Sequence, residues 1–165
     1  MYYFNNICFI KKILIILIPL IIGMIIGYFY KKKWNEYKYK NLKKPKYYPP
    51  NYIFSIIWPI LYLLIGIVYS NALYEKNCQK KKVKYWIIPF LSLIFNYAYI
   101  PVFFSKNGYI NSFIIIILSL IFAIFTLLQF YLQKINNIIL ILYIPYIIWL
   151  IYASYLSYKI YILNS

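Results

Sequence analysis

The sequence predicts an all-α membrane protein, a five-transmembrane-helix bundle formed as one domain over residues 1–165. Three observations lead there. Hydrophobic residues make up 65% of the chain and mean hydropathy is +0.70, against an apolar share of roughly 45–50% in soluble domains. The apolar residues fall into five long runs separated by short polar joints, each run near the roughly 20 residues that carry a helix across a bilayer core of about 30 Å. The runs are continuous, as in Ile114-Ile115-Ile116-Ile117 and Ile138-Ile139-Leu140-Ile141-Leu142, and lack the alternation of barrel strands. A backbone in lipid must satisfy its own hydrogen bonds, which a helix does within one segment.

The first span is read at about 13–30. Lys11 and Lys12 precede it as in a signal peptide, but Gly27-Tyr28-Phe29-Tyr30 followed by three lysines reads as a stop and not as a small-residue cleavage site. Loop one, from Lys31 to Asn51, is the longest connection. Lys44-Pro45 and Pro49-Pro50 forbid a regular helix there, because proline removes an amide donor and restricts the residue before it. The chain is therefore expected to reach the second span extended, with Trp34, Tyr47 and Tyr48 at the membrane interface. The remaining spans are read at about 52–73, 83–104, 110–132 and 138–158. Pro19, Pro59, Pro89, Pro101 and Pro145 lie inside or at the ends of spans, where each releases a carbonyl and permits a bend.

Charge narrows the chemistry. The chain has no His and two acids, Glu36 and Glu75, so catalysis by carboxylate or imidazole is nearly excluded, and neither a catalytic residue nor a metal site is predicted. The net charge of +16 comes from lysines that flank the spans, where they anchor helix ends to anionic membrane lipids; no nucleic-acid partner is predicted. Lysines divide almost evenly between the two faces, so charge does little to orient the bundle. Cys8 and Cys78 fall on one predicted side and read as free thiols.

Two helix faces stand out. Trp58, Tyr62 and Ile65 follow i, i+4, i+7 spacing, with Gly66 beside them allowing a neighbouring helix to come close. Trp149, Ala153 and Leu156 repeat that spacing on the last span. Spacing alone fits core packing as well as a pocket wall.

Lys44-Pro45, Pro49-Pro50, Trp58, Leu61-Tyr62, Gly66, Asn96, Pro101, Phe103-Phe104, Pro145-Tyr146, Trp149, Ala153 and Leu163-Asn164 together form a pattern that resembles the translocator protein family, also called tryptophan-rich sensory proteins or peripheral-type benzodiazepine receptors. The resemblance covers about Gly23 to Asn164. It implies a cavity within a five-helix bundle, capped by the first loop, that takes lipophilic small molecules such as tetrapyrroles (porphyrin or heme) or sterols, in their transport or sensing, with no obligatory cofactor. Carried over position by position, the pocket would be formed by Gly27, Phe54, Ser55, Ile57, Trp58, Tyr62, Asn96, Tyr99, Tyr109, Tyr146, Trp149, Ala153 and Leu156, and the lid by Lys43, Lys44, Pro45 and Pro49. It also implies a homodimer, and a mitochondrial outer membrane or another internal membrane as the location.

Some bacterial relatives are reported to degrade protoporphyrin with light, and Trp58 and Trp149 match the tryptophans involved, so an enzyme-like activity is the alternative reading. A carrier is the other rival, although no span has a charged residue in its middle to couple transport to an ion. The chain departs from the family pattern at Tyr47, Tyr99 and Tyr161, where the family has Trp, and at Ser157, where it has Asn. Leu150, Tyr155 and Lys159 satisfy a loose sterol-recognition pattern.

Overall fold

The computed structural model describes residues 2–33, 37–72 and 83–165, and the side chains of 10–33, 39–72 and 84–165. The expectations for Trp34, both acids, the lysines of 76–82 and the two thiols lie outside the described residues. Helices α1 (Tyr2–Tyr30), α2 (Tyr37–Lys40), α3 (Asn51–Ala72), α4 (Ile87–Phe103), α5 (Gly108–Leu132), α6 (Asn137–Ile141) and α7 (Ile144–Asn164) follow in order, with a 3-10 turn at Val83–Tyr85 before α4. Among the described residues there is no strand.

Four segments are long and apolar enough to cross a membrane: Ile10–Tyr30, Asn51–Ala72, Gly108–Leu132 and Asn137–Asn164; α4 is a shorter apolar helix. Large apolar side chains cover the outside, including Ile60 on α3, Ile94 on α4, Leu128 on α5 and Ile148 on α7, while Ser92, Asn96, Ser112, Ser119, Thr126, Ser154 and Ser157 are buried. A shell of that kind suits lipid and not water. The protein is an integral multi-pass membrane protein.

The helices depart from the expected spans in several places, beginning with α1, which starts at Tyr2 and so ahead of the expected 13. The third span is helical only from Ile87 to Phe103, 17 residues, the stretch before it being the 3-10 turn. The fifth is broken after Ile141 because Pro145, at the start of α7, has no N–H for the carbonyl four residues earlier. Beyond the break α7 runs to Asn164, past the expected end at 158. Lys159 does not stop it, since its ammonium reaches 5.9 Å from the Tyr155 ring centre at the helix surface.

The helices close a circuit: α1 packs on α3, α3 on α6 and α7, α7 on α5, α5 on α4, and α4 back on α1. At the loop-one end Tyr30 stacks on Phe104 at 5.9 Å and Phe103 meets Tyr109 at 5.6 Å. At the far end Tyr69 of α3 meets Phe130 of α5 edge-on at 5.8 Å and donates to the Pro89 carbonyl of α4 at 3.0 Å. One close backbone approach is between α1 and α3, where a Cβ on Gly66 would collide with the backbone of Ile16. Neither backbone can yield without separating the helices.

Gly66→Ala is therefore expected to destabilise the detergent-solubilised protein by about 1–3 kcal/mol, the usual range for overpacking. Gly27→Ala is the control: a Cβ there meets nothing within 4 Å, and alanine favours helix by about 1 kcal/mol over glycine. Thermal melts of the two variants should move in opposite directions.

Candidate functional site

Beneath loop one the aromatic residues form a continuous ladder into the bundle. Tyr48 of the loop packs on Phe54 at 5.6 Å, and Phe54 meets Trp149 edge-on at 5.8 Å. Trp149 stands at 89° to Trp58 at 6.4 Å, Trp58 stacks on Tyr62 at 5.5 Å, and Tyr62 reaches Tyr97 at 5.5 Å. Residues from α3, α4 and α7 thus meet although they are far apart in sequence.

Polar atoms punctuate the ladder. The Tyr62 hydroxyl donates to Asn96 Oδ1 at 2.8 Å, which fixes the amide and leaves Asn96 Nδ2 with no hydrogen-bond partner, the Tyr146 hydroxyl lying beside the amide. Trp149 Nε1 is also buried without a partner. Buried donors are almost always satisfied, and an orphan costs about 1–3 kcal/mol. Tyr146 is fully buried and shares a 3.4 Å hydroxyl contact with Ser119.

The other pocket residues carried over from the sequence divide by position. Ile57, Ala153 and Leu156 pack in the interior, and Tyr99 stacks on Phe103 at 6.0 Å next to Tyr109. Ser55 is exposed. Gly27 faces open space, whereas Gly23, one turn earlier, lies against the Tyr62 ring so tightly that a Cβ would overlap it. Gly23 is the α1 glycine that meets the aromatic ladder; its i−4 relation to Gly27 was the available clue.

Loop one is tied down from below. Tyr39 donates to Asn51 Oδ1 at 3.0 Å, so in its 3.0 Å contact with Tyr48 it is Tyr48 that donates. Burial raises the pKa of both phenols, chiefly by desolvation, so both remain neutral and able to donate at physiological pH. The Lys44 ammonium lies 4.5 Å from the Tyr39 ring centre and 5.1 Å from that of Tyr48, a cation–π arrangement. Pro45 accepts from the Tyr48 N–H at 3.0 Å in a tight turn before Pro49. Lys43 is held through its backbone: its N–H donates to Asn164 Oδ1 at 3.0 Å and its carbonyl accepts from Asn164 Nδ2 at 2.9 Å.

A family model described as the TspO/MBR family matches residues 15–163. The chain belongs to that family. Among curated proteins it is 28% identical to the tryptophan-rich protein TspO of Chlorobaculum tepidum over 56% of this chain and 58% of that protein. It is 34% identical to the TspO of Bacillus cereus over 54% and 56% of the two chains, and 31% identical to the translocator protein homolog of Schizosaccharomyces pombe over 54% of each. The matched stretch spans only a little over half the length of these relatives.

Two departures from the TspO/MBR pattern turn out to be neighbours: the Tyr99 hydroxyl lies beside Ser157, whose Oγ is buried without a well-formed hydrogen bond. The loose sterol pattern does not form one surface, since Leu150 is fully buried while Tyr155 is 41% exposed on the outside.

Tyr62→Phe should destabilise the protein by about 1–2 kcal/mol, because it strands the Asn96 amide in the core. Adding Asn96→Leu should return most of that loss, which chemical or thermal unfolding of the single and double variants will measure.

Proposed function

We propose that this TspO/MBR-family protein binds a large planar lipophilic ligand bearing oxygen acceptors, of the tetrapyrrole kind, on the aromatic face beneath loop one, in the transport or sensing of that ligand. The observation that carries the reading is the buried, unpartnered indole N–H of Trp149, set between Phe54 and Trp58 in an otherwise apolar wall. Asn96 Nδ2 offers a second donor one step deeper. Two donors match a ligand with carbonyl or carboxylate oxygens better than a sterol with a single hydroxyl. The rings now contact one another, so a flat ligand would exchange ring–ring contacts for ring–ligand contacts at little cost. The spans hold no charged residue near their middle, which favours passive movement of the ligand over ion-coupled transport; the name translocator, borne by the yeast relative, is in keeping with such movement.

The test is a titration of the purified full chain with protoporphyrin, followed by tryptophan quenching. Trp58→Ala and Trp149→Ala should each weaken binding about tenfold or more, since one large ring contributes on the order of 1–3 kcal/mol. Trp86→Ala, which removes a ring stacked on Phe90 at 5.5 Å and outside the ladder, should bind nearly as the parent does. Trp149→Phe deletes the donor and keeps a smaller aromatic ring, so its loss should fall between those of the parent and Trp149→Ala. Equal losses in all variants would refute this site. Protoporphyrin should also bind more tightly than its dimethyl ester, and joint replacement of Lys43 and Lys44 by Gln should erase the difference if loop-one lysines meet the carboxylates.

A further inference from the structure

We infer that Asn164 and Tyr152 of α7 form a latch that holds loop one shut over the aromatic face and sets the rates of ligand entry and exit. The part about ligand rates rests on the site proposed above; the latch itself does not.

Loop one is joined by the chain to α1 and α3, yet its hydrogen bonds to the bundle from residues 43–47 run to α7. The carboxamide of Asn164 engages both peptide groups of Lys43, accepting from the N–H and donating to the carbonyl, much as a neighbouring strand would. It is itself held, because Nδ2 also donates to Ile160 O at 2.8 Å. Three helical turns earlier the Tyr152 hydroxyl donates to the Tyr47 carbonyl at 2.8 Å. Residues 41–50 contain no regular structure, so these groups have no helical or strand partner of their own.

The stretch around the two ties is stiff. Pro45 fixes a φ angle between them, Pro49-Pro50 fix two more just beyond the second, and Lys44 is seated over Tyr39 and Tyr48. A stiff segment pinned at two points moves as one piece once the pins release. The pins lie at the surface of the bundle and are few, and each hydrogen bond adds only modest net stability, so the closed state is favoured without being permanent. Tyr152 also packs on Trp149 at 5.5 Å, so the helix position that holds the lid carbonyl touches the indole whose N–H awaits a partner. A released lid thus frees the Tyr152 hydroxyl beside that indole.

Two variants separate the pins. Asn164→Leu removes the clamp on Lys43 with similar side-chain volume, and Tyr152→Phe removes one hydroxyl while retaining the ring against Trp149. In the ligand-free full chain in nanodiscs, amide hydrogen exchange across 41–48 should quicken about tenfold in each variant, with exchange in the middle of α3 and α5 unchanged. In stopped-flow mixing with protoporphyrin, the on-rate and off-rate should both rise severalfold while Kd moves less than threefold. Unchanged loop exchange in both variants overturns the latch, whether or not porphyrin binds. Faster exchange with unaltered on- and off-rates overturns the gating role. If no variant and no parent protein binds porphyrin, the proposed ligand is wrong and the exchange result alone decides for or against the latch.

Discussion

The bundle depends on tyrosine hydroxyls that cross between helices in a solvent without water. Lipid gives helices no hydrophobic reason to associate, so packing and interhelical hydrogen bonds must hold them. Tyr62 ties α3 to α4 through Asn96, Tyr69 ties α3 to the Pro89 carbonyl of α4, and Tyr97 ties α4 to the Pro19 carbonyl of α1 at 2.9 Å. All three converge on α4. That helix is the shortest of the long ones, about 26 Å at 1.5 Å per residue and so slightly under the bilayer core. It is held where α3 reaches into it with two hydroxyls and where it reaches α1 with one of its own, and a phenyl ring in place of any of these tyrosines would keep the shape and lose the tie.

Much of this was legible in the sequence, and the remainder depended on register. Period and length gave the spans, and the i, i+4, i+7 spacing correctly grouped Trp58, Tyr62 and Ile65, of which Tyr62 and Ile65 are buried. Spacing could not supply the partner of Tyr62, because Asn96 lies 34 residues away and the depth of α4 against α3 is set by packing. The same limit separates Gly23 from Gly27: both lie on one face of α1, and only the meeting of Gly66 with Ile16 decides which of them comes level with Tyr62. The break before α7 was present in Pro145, whereas its extension to Asn164 was masked by Lys159, a charge whose long stem lets it stay on a helix that continues past it.

The candidate site shows how tyrosine abundance, weak evidence by composition, becomes specific in space. Exposed rings such as Tyr131 and Tyr155 stand on the surface, while Tyr39, Tyr48, Tyr62 and Tyr146 have committed hydroxyls. One residue type thus stands on the outer surface, ties helices together and joins the aromatic ladder, and a helical period read from one chain cannot sort these roles. What sorts them is whether the hydroxyl meets a partner inside the bundle or headgroups and water outside it.

The departures from the family pattern can be weighed on the same basis. Tyr47 is 68% exposed, its backbone carbonyl accepts from Tyr152 and its ring meets the Lys46 ammonium at 6.0 Å on the outside, so the exchange of a family Trp for Tyr there leaves the interior untouched. Tyr99 is different, because it lies between the two buried clusters and its hydroxyl reaches Ser157, itself a replacement for the family Asn. A phenol is smaller than an indole and carries oxygen where the indole carries N–H; a serine is shorter than an asparagine and makes room for that oxygen. The two changes therefore offset each other in volume, and they alter the packing between α4 and α7 together.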